Sequence, residues 1–227
     1  MKKPNYTEIA FILDRSGSME SCRAAAIEGF NRFLADQQQI EGLGKLTLVQ
    51  FDDEYLVPVA SLPVQEILPL TTETYVPRNS TALLDAVGRT IDELGERLAV
   101  LPEDSRPAQV IVAILTDGLE NASTRFTWQD IAGRIRHQTD QYKWSFLFLG
   151  ANQDAIATAA MISITSHDAA TYAADQAGSR AAYRTLSRKA CAVRRVSAGT
   201  ASVEELSDAA APMSEILAEE NQSGEDV

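Results

Sequence analysis

Apolar and polar positions along the chain fall into two alternating rhythms. Thr7–Leu13 (TEIAFIL) is mostly apolar and reads as a buried strand, and Glu20–Gln38 places Ile27, Phe30 and Leu34 on one helical face. Lys45–Asp52 (KLTLVQFD) alternates as a half-exposed strand does. Tyr55–Val59 is expected to pair with it as an antiparallel edge hairpin across Asp53-Glu54. Ala60–Asn79 has little periodicity and contains Pro63, Pro69 and Pro77. Connectors of that length in compact domains are usually functional or ordered by docking. Thr81–Val100 carries a helical stripe of Leu84, Val87, Ile91, Leu94 and Leu98, ended by Pro102. Val110–Leu115 (VIVAIL) is apolar on both faces, which suits a central parallel strand covered above and below. Trp128–Gln138 predicts a shorter helix with Trp128, Ile131 and Ile135 inward. Lys143–Leu149 (KWSFLFL) predicts a strand, and Asn152–Met161 and Gln176–Val193 predict two more helices. Such alternation with short links predicts an α/β fold: a doubly wound, mostly parallel Rossmann-like sheet with one antiparallel edge strand and helices on both faces.

Charge changes this picture at one end. The chain has 227 residues and a formal net charge of −12. Glu204, Glu205, Asp208, Glu215, Glu219, Glu220, Glu225 and Asp226 supply −8 of it, with no Lys or Arg after residue 197. We therefore divide the chain into a domain over 1–195 and an acidic, flexible, solvated tail over 196–227. Short helices over Glu204–Leu206 and Glu215–Ala218 are compatible with it. Just before the tail, Arg180, Arg184, Arg188, Lys189, Arg194 and Arg195 form a run without an acid. Arg180, Arg184 and Arg188 share one helical stripe, read first as a solvated face and otherwise as a docking surface for the tail or an acidic partner. The acidic total and the absence of aromatics among the basic residues disfavour nucleic acid.

Composition also removes several chemistries. Cys22 and Cys191 are far apart, no CxxC occurs, and His137 and His167 are each alone, so a zinc site or disulfide framework is not expected. Both cysteines read as small core residues. No segment approaches the ~20 apolar residues of a membrane span. Lys2 and Lys3 are followed by an apolar run too short for a signal peptide, cut off at Asp14. The expected location is the cytoplasm.

The candidate chemistry lies where strands end. In doubly wound sheets, ligands bind beyond the carboxyl ends of the strands, at the point where strand order reverses. Asp14 ends the first strand, in "FILDRSGSM", and Asp117 follows the apolar strand, in "ILTDGLENAS". If those strands are neighbours, two carboxylates converge and need a counter-charge. Ser16 and Ser18 add hydroxyls from a tight glycine-containing turn, and Thr81, in "NSTALLD", adds a third. Asp14, Ser16, Ser18, Thr81 and Asp117 are all hard oxygen donors, a set that suits Mg²⁺, with Mn²⁺ or Ca²⁺ as variants.

D-x-S-x-S after a first strand, a Thr before the "ALLDA" helix and "TDG" after a central strand together resemble a von Willebrand factor A-type domain with a metal-ion-dependent adhesion site. The resemblance covers about residues 5–195. It implies that Ser16, Ser18 and Thr81 contact the metal directly, and Asp14 and Asp117 directly or through water. It also implies that one coordination position is left for an Asp or Glu of a partner protein, which makes the site an adhesive and not a catalyst. Many members carry Gly before the Thr motif. Here Asn79-Ser80 stand there, which implies a changed loop with metal binding retained. The implied type is intracellular and microbial, with partners such as a AAA-type ATPase or a stress-system component.

Other readings compete. Asp14 could cap a turn and Thr81 its helix; Asp117-Gly118 is an ordinary turn signal. Glu120 and Asn121 read as surface-loop residues, and Asp85 as a first-turn acid with structural duty. A tail carboxylate could occupy another molecule's metal. A Mg²⁺-dependent phosphohydrolase of the haloacid dehalogenase type also begins with an Asp after the first strand, but it needs a second acid where Ser16 stands. A nucleotide-binding Rossmann-like protein would need a glycine-rich phosphate loop, and none is present.

Overall fold

The computed structural model describes residues 3–151 and 155–223. Six strands form one sheet: β1 (Lys3–Asp14), β2 (Leu43–Phe51), β3 (Tyr55–Pro63), β4 (Pro107–Thr116), β5 (Ser145–Ala151) and β6 (Ala169–Tyr172). Their order is β3-β2-β1-β4-β5-β6; only the β2–β3 pair is antiparallel. The order reverses between β1 and β4, which pair in parallel with Leu13 beside Leu115. Their carboxyl ends therefore open onto one crevice.

The two faces of β1 explain the layering. Ile9, Phe11 and Leu13 pack under α1 (Arg23–Gln38) and the long final helix of the domain. Ala10 and Ile12 pack under the helices that follow β3, β4 and β5: α2 (Leu83–Ala99), α3 (Trp128–Tyr142) and α4 (Ala155–Met161). Phe11 meets Phe30 and Phe33 edge-on, with ring centroids 5.2 and 4.9 Å apart. The expected α2 stripe, Leu84 to Leu98, is buried throughout. Burying such a side chain contributes roughly 1.5–3 kcal/mol.

Element boundaries differ from the expected ones where local chemistry intervenes. The helix expected from Glu20 starts at Arg23, because Gly17–Cys22 is a 3-10 turn. Lys143 adopts a left-handed conformation (φ 58°) that ends α3, so β5 begins two residues later. Of the helix expected from Asn152, the described part is α4; Asn152 lies outside the described residues. The connector is ordered by docking. Asn31 exchanges hydrogen bonds with Leu70, donating at 2.9 Å and accepting at 2.7 Å, while Arg23 donates to the carbonyls of Thr72 and Tyr75. β3 is the open edge; it exposes Leu56, Pro58, Ala60 and Leu62 and is bulged around Ser61, whose φ is +51°.

The expected solvated tail is folded. The last domain helix, α5 (Gln176–Ala198), runs past the boundary placed at 195. It is followed by α6 (Val203–Ala210) and α7 (Met213–Ser223), which dock back on it. Met213 and Leu217 are buried in the core cluster beneath α5, and Ile216 is fully buried beside them. Asp208, Glu219 and Glu220 are paired with Arg184 and Arg188 of the α5 stripe and Glu205 with Arg195, whereas Glu204 and Glu215 are exposed as expected. Glu225 and Asp226 lie outside the described residues.

Candidate metal centre

Asp14, the last residue of β1, is fully buried. Its Oδ1 accepts from the Ser16 N–H at 2.6 Å and its Oδ2 from the Thr116 hydroxyl at 2.5 Å. Burial pushes its carboxyl up to about 6. The two hydrogen bonds oppose that shift and the nearby charge of Asp117 adds to it. Asp117 is also raised, by burial, against a hydrogen bond from Ser18. The Ser18 hydroxyl donates to Asp117 Oδ1 at 2.6 Å and lies 3.1 Å from the Ser16 hydroxyl. Gly118 connects the remaining donor to these. A Cβ there would lie 2.6 Å from Thr81 Oγ1 and 3.5 Å from Ser16 Oγ. The structure thus brings all five sequence-predicted residues to one crevice.

Three loops hold that crevice in shape. Gly17 N–H donates to the Asn79 carbonyl and Arg78 N–H to the Arg15 carbonyl, so the serine turn is bolted to the connector. Asn79 adopts φ +56° to make this turn. The Tyr75 hydroxyl donates to the Asp14 carbonyl at 2.6 Å. Thr81 is not the cap of α2; that position is Ala82, without a side-chain cap. Its N–H donates to Asn121 Oδ1 at 2.9 Å, leaving its hydroxyl beside Gly118. The start of α2 is closed from the β4–α3 loop instead, with Leu84 N–H donating to Glu120 and Asp85 N–H to Ser123. Asp85 in return accepts from the N–H groups of Thr124, Arg125 and Phe126. Structural duty for Asp85 is what the geometry shows. Glu120 and Asn121 do more than the surface-loop duty expected of them, since Asn121 holds Thr81 and Glu120 holds the start of α2. Thr116 and Tyr75 were not singled out from the sequence. A hydroxyl two positions before Gly118, directly after an apolar strand, was the available signal for Thr116.

The nearest cation looks away from the site. Arg15 turns to the other side of its strand end and pairs with buried Asp52 at 3.1 Å, which also holds Arg78 at 2.8 Å. Among the described residues neither Asp14 nor Asp117 has an ion-pair partner, and no group of three or more His, Cys, Asp or Glu side chains forms a metal cluster. The donor set is therefore two carboxylates and three neutral hydroxyls. It fits a hard divalent ion: donors ~2.1 Å from such an ion stand roughly 3.0 Å apart along an octahedral edge, close to the 3.1 Å between Ser16 and Ser18. Gly118 leaves the space that a side chain would fill.

Comparison with solved structures places this geometry on a known scaffold. The mussel byssus proximal thread matrix protein 1 with a zinc-occupied MIDAS motif matches with a TM-score of 0.55 and 15% identity over 82% of this chain and 46% of its own. A von Willebrand factor type A protein from Catenulispora acidiphila matches with a TM-score of 0.54 and 16% identity, covering 83% and 43%. The manganese-loaded TRAP protein of Plasmodium vivax matches with a TM-score of 0.53 and 14% identity, covering 78% and 72%. The chain thus has the von Willebrand factor A-type fold, and it spans less than half the length of the first two of these structures. No family model and no curated protein matches the sequence.

Proposed function

We propose that the chain is a metal-dependent protein-binding module. Asp14, Ser16, Ser18, Thr81 and Asp117 would hold Mg²⁺, or Mn²⁺ or Ca²⁺ in its place, and a partner's Asp or Glu would complete the coordination. The observation that carries this reading is the convergence of the five oxygen donors, without a protein cation, at the β1–β4 switch point. When bound, the ion supplies an electrophilic point that attracts an anionic oxygen. Ser16, Ser18 and Thr81 present neutral hydroxyls, so the ion's charge stays less compensated than in an all-carboxylate site. Asp14 has both oxygens engaged by Ser16 and Thr116, which suits a role through water. Thr116 then fixes the orientation of that carboxylate.

Binding, and not turnover, is the reading favoured. A phosphohydrolase would need an acid at position 16, where a serine hydroxyl sits 3.1 Å from another. A cytoplasmic setting and a AAA-type ATPase or stress-system component as partner belong to the same proposal. No described helix is long and apolar enough to cross a membrane.

The test combines metal titration with capture. Asp14→Ala with Ser16→Ala is expected to lower Mn²⁺ affinity at least 100-fold by calorimetry, abolish EDTA-sensitive partner capture and leave the far-ultraviolet dichroism unchanged. Capture that survives both the double variant and EDTA would remove the proposal.

A further inference from the structure

α5 and the two helices that follow it separate charge by sign. Residues 176–195 hold six basic side chains and no acid, whereas residues 198–223 hold six acids and no base. Three of these arginines meet four of these acids. Arg184 reaches Glu220 at 2.9 Å, Arg188 reaches Asp208 and Glu219 at 2.6 Å each, and Arg195 pairs with Glu205. Lys189, buried in the contact, donates to the carbonyls of Asp208, Ala209 and Ala211 at 3.3, 2.8 and 2.6 Å, closing the free end of α6. Met213, Ile216 and Leu217 are buried at i, i+3 and i+4, and Met213 and Leu217 join a cluster that includes Tyr172, Ala182 and Leu186. α6 packs chiefly on α5, and α7 on α5, β6 and the turn at 166–168; neither adds a strand or a connection to the sheet.

Apolar anchors laid on a complementary surface, with charges fixing the register, are how amphipathic helices are recognised by grooves. The face also continues beyond what α7 fills. Between α1 and α5 a cleft of about 570 Å³ runs on past Glu220, lined by two exposed pairs, Arg180 with Glu28 at 3.3 Å and Arg32 with Asp36 at 2.9 Å.

We propose that the α5 face is a binding site for acidic amphipathic helices, filled in cis by residues 203–223 and open to exchange with an acidic helix of a partner protein. The partner helix carries apolar residues at i, i+3 and i+4 and carboxylates placed for Arg184, Arg188 and Arg195. A helix longer than α7 would continue along the cleft toward Arg180. None of the five crevice residues takes part, so the site stands or falls independently of the metal.

The experiment uses the full chain and, as probe, a fluorescein-labelled peptide of residues 201–223. Asp208→Lys, Glu219→Lys and Glu220→Lys together are expected to release the resident helices while leaving α5 intact. Amides of 204–220 should then exchange with deuterium at least 100-fold faster, and the peptide should bind at least ten-fold more tightly than to the unaltered chain. Adding Arg188→Glu should remove that binding. Equal peptide binding to all three proteins, or resident helices still protected in the triple variant, would overturn the site. Exchange of the segment between two copies, seen as a dimer that the peptide dissolves, would overturn the assignment to a different protein. Should the triple variant fail to fold, the unaltered chain decides. Amides of 204–220 are expected to exchange together, ahead of those of β1 and β4, and at least ten-fold faster in 0.5 M than in 0.05 M NaCl. Exchange only with the whole domain, insensitive to salt, would sink the proposal.

Discussion

The crevice above β1 and β4 and the face of α5 both bury charge, and they resolve it in opposite ways. On α5 Arg184, Arg188 and Arg195 each meet a carboxylate of α6 or α7, and Lys189 meets three carbonyls. In the crevice two carboxylates face each other with hydroxyls and amides only, and the nearest arginine is committed to Asp52. A surface neutralised by its own chain takes a visitor only by exchange. Two carboxylates gathered without a cation are left uncompensated, and burial holds both carboxyls above their ordinary values. The contrast separates the place where an external ion would add a missing charge from the place where an external helix would have to displace the chain's own.

The sharpest way to break the contrast is steric. Gly118→Val would put a branched side chain against the Thr81 and Ser16 hydroxyls. It is expected to lower Mn²⁺ affinity at least 100-fold while changing the unfolding midpoint little, as read by calorimetry and thermal melting. Acidity gives a second, smaller effect. Asp14 has a carboxyl at about 6 in the folded chain against an ordinary value of 3.8. The folded, metal-free form therefore holds a proton that the unfolded form has released. Its stability from this group is fully present below about 3.8 and lost as the pH rises through about 6. A bound divalent ion needs the same carboxylate charged. The rise in melting temperature caused by 5 mM MgCl₂ is accordingly expected to be larger at pH 7.5 than at pH 5, and an equal rise at both would contradict it.

On the self-neutralised side the effects are smaller and depend on burial. Arg188→Ala strands Asp208, which is 7% exposed, and should cost about 2 kcal/mol by urea denaturation. Arg32→Ala removes a pair on α1 whose arginine side chain is 72% exposed. It should cost no more than about 0.5 kcal/mol by the same measurement.

Most of the sheet and all five crevice residues were legible in the sequence, because period-two and period-3.6 patterns survive in single elements and the three motif parts sit directly at strand or helix ends. β6 was not, since Ala169–Tyr172 is four residues long and its burial comes from neighbours distant in sequence. The folded C-terminus was masked by its acids, which read as solvated because their partners lie on another helix. Local signals were nevertheless present. Ser202 and Glu205 form a reciprocal cap at the start of α6, and Met213, Ile216 and Leu217 repeat at helical spacing. Thr116 and Tyr75 show the limit from the other side. Each contributes a single hydroxyl aimed at Asp14; the place of Thr116 after an apolar strand hinted at this, whereas nothing along the chain does so for Tyr75.

The outermost strand bears on how the molecule behaves in company. β3 displays a row of apolar side chains beside backbone groups that would template another chain. Pro58 withholds an amide midway along that rail, and the kink at Ser61 bends it out of plane. Crowded solutions thus find no straight ledge there on which sheets from neighbouring molecules could zip together.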